Sequence, residues 1–80
     1  MKYPKVWFDP NITAPEKLVF MAIAAVNGDN RDAVTVARLS VMTSLSRRAV
    51  QNSTKRLREL DLISIEQREN ASSLYRVIEQ

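Results

Sequence analysis

The residues with the clearest chemical meaning are the cations of the central segment. No acid occurs between Ala33 and Arg58, a stretch that carries Arg38, Arg47, Arg48, Lys55, Arg56 and Arg58. The acids fall outside it, at Asp9, Glu16, Asp29, Asp32, Glu59, Asp61, Glu66, Glu69 and Glu79. The formal charge is only +3, so distribution matters more than total. A one-sign region on an otherwise mixed surface is the electrostatic footprint expected for a polyanion partner. A basic, solvated helix face without any partner accounts for the same charges, and the run by itself weighs the two readings evenly. Other chemistry lacks its groups. The chain has no His and no Cys, hence no usual base or nucleophile and none of the usual structural zinc sites. Gly28 is the single glycine, so no glycine-rich phosphate loop exists. The chain is read as non-enzymatic, with no cofactor, no metal and no small-molecule substrate.

Those cations need a scaffold, and 80 residues make one domain, residues 1–80. Without disulfides the fold depends on packing, for which 45% apolar residues suffice. The longest apolar run, residues 18–26, is far short of the ~20 residues that span a membrane, and no segment reads as a signal peptide. The expectation is a soluble, cytoplasmic protein with no membrane partner. The absence of cysteine agrees with a reducing compartment.

Residues 1–12, punctuated by Pro4 and Pro10, read as an N-terminal extension packing on the core, with Tyr3, Trp7 and Phe8 covering one edge of it. Thr13 and Glu16 have capping-box spacing and Pro15 suits a first helical turn. They predict a first helix that is apolar, and so buried, nearly all round, ended by Gly28 as a left-handed residue. Residues 27–32 read as a polar loop, and Ala33-Val34 as a short strand. Thr35 would cap a second helix over about 36–42, with Val36, Leu39 and Met42 inward. Ser46 would cap a third, running from Arg47 to about Leu60, with Val50, Ser53 or Thr54, Leu57 and Leu60 inward. Asp61 would close it. Residues 62–66 alternate, with Ile63 and Ile65 on one face, and residues 74–78 read as the returning strand of a hairpin.

This order of elements, with Leu45-Ser46-Arg47-Arg48-Ala49-Val50 in the turn and helix start and Leu57, Leu60, Leu62 and Ile63 leading into the hairpin, resembles the winged helix-turn-helix superfamily. The opening, Lys5-Val6-Trp7-Phe8 through Glu16-Lys17-Leu18-Val19, is similar to the N-terminal domains of phage and plasmid replication proteins, and related domains occur in small bacterial transcription regulators. The resemblance covers nearly the whole chain. It implies an α+β, mainly α fold: three helices followed by a β-hairpin wing. The family usually places glycine in the inter-helix turn and after the recognition helix, where the backbone is left-handed. Ser44 and Asp61 stand there instead; Asp tolerates that conformation and Ser is less suited to it. Ser53 and Thr54 are also more polar than the apolar pair usual at their positions.

The function the resemblance implies is sequence-specific binding of double-stranded DNA. A recognition helix of about residues 46–60 would enter the major groove, about 12 Å wide and able to admit one helix, and a wing of about residues 62–78 would lie on the backbone. Arg47, Arg48, Gln51, Asn52 and Lys55 fall on the outward arc. Arg suits guanine and Gln or Asn suit adenine. Lys55, Arg58 and Arg38 suit phosphates, as do the hydroxyls of Ser44 and Ser46, with Arg68 and Asn70 or Ser72 reaching from the wing. Replication initiation, transcription regulation and accessory recombination would all share this surface, as nucleoid-associated work or on phage or plasmid DNA. Any homodimer or larger nucleoprotein assembly would have to use the N-terminal segment or the hairpin. The rival reading is a protein-protein interaction module without DNA binding. RNA ranks third, because the proposed surface lacks stacking aromatics.

Overall fold

In the computed structural model, which describes residues 3–30, 34–66 and 74–78, the capping box at Thr13 is formed. The Thr13 backbone N–H donates to Glu16 Oε1 at 2.9 Å, and the Glu16 N–H donates to Thr13 Oγ1 at 3.4 Å. Both bonds satisfy backbone donors that the start of a helix leaves without an intrahelical acceptor. The helix follows a shorter one, so the elements are α1 (Pro4–Phe8), α2 (Ala14–Asn30), α3 (Val36–Thr43), α4 (Arg47–Glu59), β1 (Ile63–Glu66) and β2 (Leu74–Val77). The three helices expected from the sequence are α2, α3 and α4, and the expected wing is β1–β2.

Helix α2 is the central element, packing against α3, α4 and β2. Val19, Phe20, Ile23 and Val26 are buried along one side. The expectation that it be buried nearly all round is corrected: Leu18 and Ala25 are exposed. A domain this small covers one side of its central helix and leaves the other to solvent. Gly28 does not end α2, which continues to Asn30. A glycine inside a helix costs about 1 kcal/mol, but a tertiary bond holds this turn. Asn27 Oδ1 accepts from the Val77 backbone N–H at 2.8 Å and ties the helix to β2.

The N-terminal extension does pack on the core, but as helix α1, with Pro4 in its first turn. Val6 and Ile12 are buried, and the Tyr3 ring meets Phe20 edge-on at 5.1 Å. Trp7 and Phe8, expected to cover the core, are exposed. Once the segment is helical, Phe8 lies two residues past Val6 and therefore on roughly the opposite side.

Thr35 caps α3 through its Oγ1, which accepts from the Arg38 N–H at 3.2 Å. Leu39 is fully buried and Val36 packs beside the core, but Met42, expected inward, is exposed. The last turn of α3 overshoots the core edge, and Leu45, beyond the turn, packs there instead. Side chains brace the bend. Ser40 Oγ donates to the Leu45 carbonyl and Thr43 Oγ1 to the Leu39 carbonyl, each at 2.7 Å.

Both positions where the superfamily favours glycine are left-handed here, Ser44 at φ 61° and Asp61 at φ 58°. Asp61 sits within a Schellman motif. The Asp61 N–H bonds the Arg58 carbonyl and the Leu62 N–H bonds the Leu57 carbonyl, both at 3.0 Å, which satisfies the last orphan carbonyls of α4. Leu60 precedes this residue, outside the helix, and is exposed rather than inward. Holding a side chain left-handed costs of order 1–3 kcal/mol, most for a branched Cβ. Ser44→Val is therefore expected to lower stability by about 1–2 kcal/mol, with Ser44→Gly neutral or stabilising. Urea unfolding checks this, and a valine variant as stable as the parent would contradict the turn geometry.

After Leu62 the chain pairs as an antiparallel hairpin, with Ile63 opposite Val77 and Ile65 opposite Tyr75. Ile63 is buried and Ile65 packs against the core, as the alternation requires. Val34 adds an antiparallel bridge to Tyr75, its N–H and carbonyl both engaged, in place of the short strand expected at residues 33–34.

Candidate nucleic-acid interface

Helix α4 starts where Ser46 Oγ accepts from the Ala49 N–H at 3.1 Å. That bond fixes the first turn and leaves the hydroxyl proton free to donate outward. Val50, Ser53, Thr54 and Leu57 are buried against α2 and α3, which sets the rotation of the helix. Residues at three- and four-residue spacing share a face, so Arg48, Asn52 and Lys55 align opposite the buried side. Arg47, Gln51 and Arg58 form the adjacent row. All six are exposed. Arg56 is exposed on the other flank, next to Leu60. The outward row ends in an acid, because Glu59 lies one turn beyond Lys55, so the purely basic part covers the first three turns.

Arg38 is exposed on α3, and Ser44 and Ser46 are exposed in the link between α3 and α4. Ser44, Ser46, Arg47 and Arg48 thus lie around the start of α4, Gln51, Asn52, Lys55 and Arg58 continue along its exposed side, and Arg38 lies on α3, which packs against α4. Among the described residues, Arg38, Arg47, Arg48, Lys55 and Arg58 take part in no ion pair. Their side chains are exposed, and none of the described acids neutralises them. Arg68, Asn70 and Ser72, expected on the wing, lie outside the described residues.

One cation near this surface was not picked out from the sequence. Lys17 lines a groove of about 580 Å³ together with Trp7, Ala14, Pro15, Leu18 and Leu45. Its signal was available only indirectly, since Glu16 is consumed by the capping box and leaves Lys17 as the charge that α2 presents there. Among the described residues no group of His, Cys, Asp and Glu side chains could hold a metal ion, and no helix is long and apolar enough to cross a membrane.

Helix α2, the Val34 bridge, α3, a tight turn, α4 and a two-stranded wing make this a winged helix-turn-helix domain. The same fold occurs in the zinc-responsive MarR family member ZitR of Lactococcus lactis, whose crystal structure superposes with a TM-score of 0.72 at 24% identity, over 92% of this chain and 49% of that one. The structure of wild-type ZitR in complex with DNA matches with a TM-score of 0.69 at 21% identity, over 92% and 48% of the two chains. A cysteine-to-serine mutant of ZitR gives 0.71 at 23% identity, over 89% and 46%. The chain thus spans about half the length of the solved structures it matches. No family model and no curated protein sequence matches it.

Proposed function

We propose that this domain binds double-stranded DNA, with the N-terminal half of α4 in the major groove and the hairpin wing along the backbone. The observation that carries the reading is the row of exposed cations along α4, which make no ion pair among the described residues, on a helix whose opposite face is anchored in the core. In this reading Arg47 and Arg48, with Gln51 and Asn52, read base edges. Arg38, Lys55 and Arg58, with the hydroxyls of Ser44 and Ser46, hold phosphates and set the register in the same reading. Arg68 would extend this from the wing.

Within DNA binding, transcription regulation is the role we favour, because ZitR is a MarR family member and one of its structures is a complex with DNA. Replication initiation on phage or plasmid DNA rests on the resemblance of the opening segment alone. The zinc response of ZitR is not carried over. The chain contains neither His nor Cys, the side chains that most often hold zinc alongside carboxylates.

Salt dependence tests the proposal. Each phosphate contact releases counterions and adds about 0.9 to the slope of log affinity against log salt. Four or five contacts would weaken binding about 10²- to 10³-fold between 50 and 200 mM salt. Anisotropy of a labelled random-sequence duplex, titrated with the protein at both salt concentrations, measures this. Absence of binding at the lower salt, or binding indifferent to salt, would overturn the proposal and leave a protein partner as the better reading.

A further inference from the structure

The groove beside Leu45 belongs to neither the core nor the basic face of α4. Its wall is apolar and half open to solvent, with Trp7 42% and Leu18 45% exposed. Among the described residues Lys17 is the only charged side chain lining it. The neighbouring carboxylate, Glu16, is turned away, 8% exposed and bonded to the Thr13 N–H. Among the described residues Lys17 makes no ion pair. Among the described residues the groove is therefore lined by apolar side chains and one positive charge, with no acid in its lining.

Its position supplies the occupant. Leu45 lies between Ser44 and Ser46 in the link that leads to Arg47 and Arg48. The Cα atoms of Leu45 and Arg47 are at most ~7.6 Å apart, while one DNA strand carries a phosphate for every ~3.4 Å of helix axis. A strand held at the start of α4 would thus run past the edge of the groove that Leu45 forms. We propose that this groove is a second contact with the DNA backbone, in which Lys17 holds a phosphate and Trp7 and Leu18 pack against the adjoining sugar. A lysine ammonium suits that role, being a compact charge on a flexible stem. The inference rests on the DNA-binding reading above and extends the contact surface from α4 across to α1 and α2. Lys17 would position the domain without choosing sequence.

The test uses the chain's single tryptophan as a reporter inside the proposed contact. An unlabelled duplex is titrated at low salt while Trp7 emission is recorded, and a labelled duplex is followed in parallel by anisotropy, for the parent and for Lys17→Ala. Circular dichroism confirms that the variant is folded. Trp7 emission is expected to change in step with anisotropy. In Lys17→Ala the loss of affinity between 50 and 200 mM salt should be about 3.5-fold smaller, the share of one phosphate contact, with discrimination between duplex sequences unchanged. Both readouts are required. Duplex binding with silent Trp7 emission, or a variant slope equal to the parent's, overturns this inference and leaves the role of α4 intact. Emission that shifts on dilution of the protein alone would assign the groove to a second copy of the chain and overturn it as well. No duplex binding by any readout removes both proposals.

Discussion

Replacing Arg47 and Arg48 together by alanine is expected to abolish sequence-specific DNA binding while the domain stays folded. Both side chains are exposed in the first turn of α4, directly after the Ser46 cap. A bidentate arginine contact to guanine contributes about 1–3 kcal/mol of discrimination. Two such contacts therefore separate a cognate from a random duplex by about 2–6 kcal/mol, or roughly 30-fold to 10⁴-fold. Residual, salt-sensitive binding should persist through Arg38, Lys55 and Arg58. Stability should barely move. The Ser46 bond goes to the Ala49 backbone N–H, which the substitutions leave in place, and alanine is the better helix former. The double Arg→Lys variant separates charge from geometry. It should keep the salt slope and lose discrimination, because an ammonium cannot make the paired contact of a guanidinium. The measurement is anisotropy on a selected and a scrambled duplex, with helicity followed by circular dichroism. An alanine double variant with full helicity and unchanged preference would remove these residues from the interface.

Much of this arrangement was legible in the sequence because it is written in local signals. Thr13 with Glu16, Thr35 and Ser46 are caps whose hydrogen bonds span three residues, so spacing alone places them, and all three form. The basic rows of α4 were legible for a related reason: burial of Val50 and Leu57 fixes the rotation, and the helical period does the rest. Errors arose where a period was extended past the element that carries it. Met42 and Leu60 fit the inward pattern by count, yet one lies at the overshooting end of α3 and the other outside α4, where the Schellman turn redirects the chain. Gly28 carries a stop signal in isolation but is overridden by the bond from Asn27 to Val77, 50 residues away. The proline-punctuated start concealed α1, a five-residue helix too short to show a period. Lys17 belongs to the same class of omission, since only tertiary packing brings it beside Leu45. The left-handed backbone at Ser44 and Asp61 is the instructive case. There the fold imposes a conformation the side chains do not favour, and local propensity gives way to the geometry of the turn.

Phe20→Ala is expected to be the most damaging single substitution in the core. Phe20 is fully buried in the middle of α2 and makes a T-shaped contact with the Tyr3 ring, so it joins the start of α1 to the central helix. Removing a buried phenyl ring costs about 3–5 kcal/mol through lost transfer energy and the cavity left behind. Relaxation could close part of that cavity only by moving α1, which would sacrifice the contact with Tyr3. Domains of this kind are stable by about 5–15 kcal/mol in total, and small ones bury proportionally less. The loss is thus a large fraction of everything holding the fold together. For 60–100 residues each kcal/mol shifts the melting temperature by about 4–8 °C, which gives a fall on the order of 10–40 °C. Phe8→Ala is the internal control. The same ring is deleted ahead of the α2 capping box, where it is 74% exposed, and the change should stay within about 0.5 kcal/mol. Thermal unfolding of the two variants side by side decides the matter. A Phe20 variant no less stable than the Phe8 variant would mean that α1 and α2 are not packed through this ring. With the expected ordering, the Phe20 variant should still bind a duplex at low temperature, with the parent's salt slope, because none of the side chains of the proposed interface has changed.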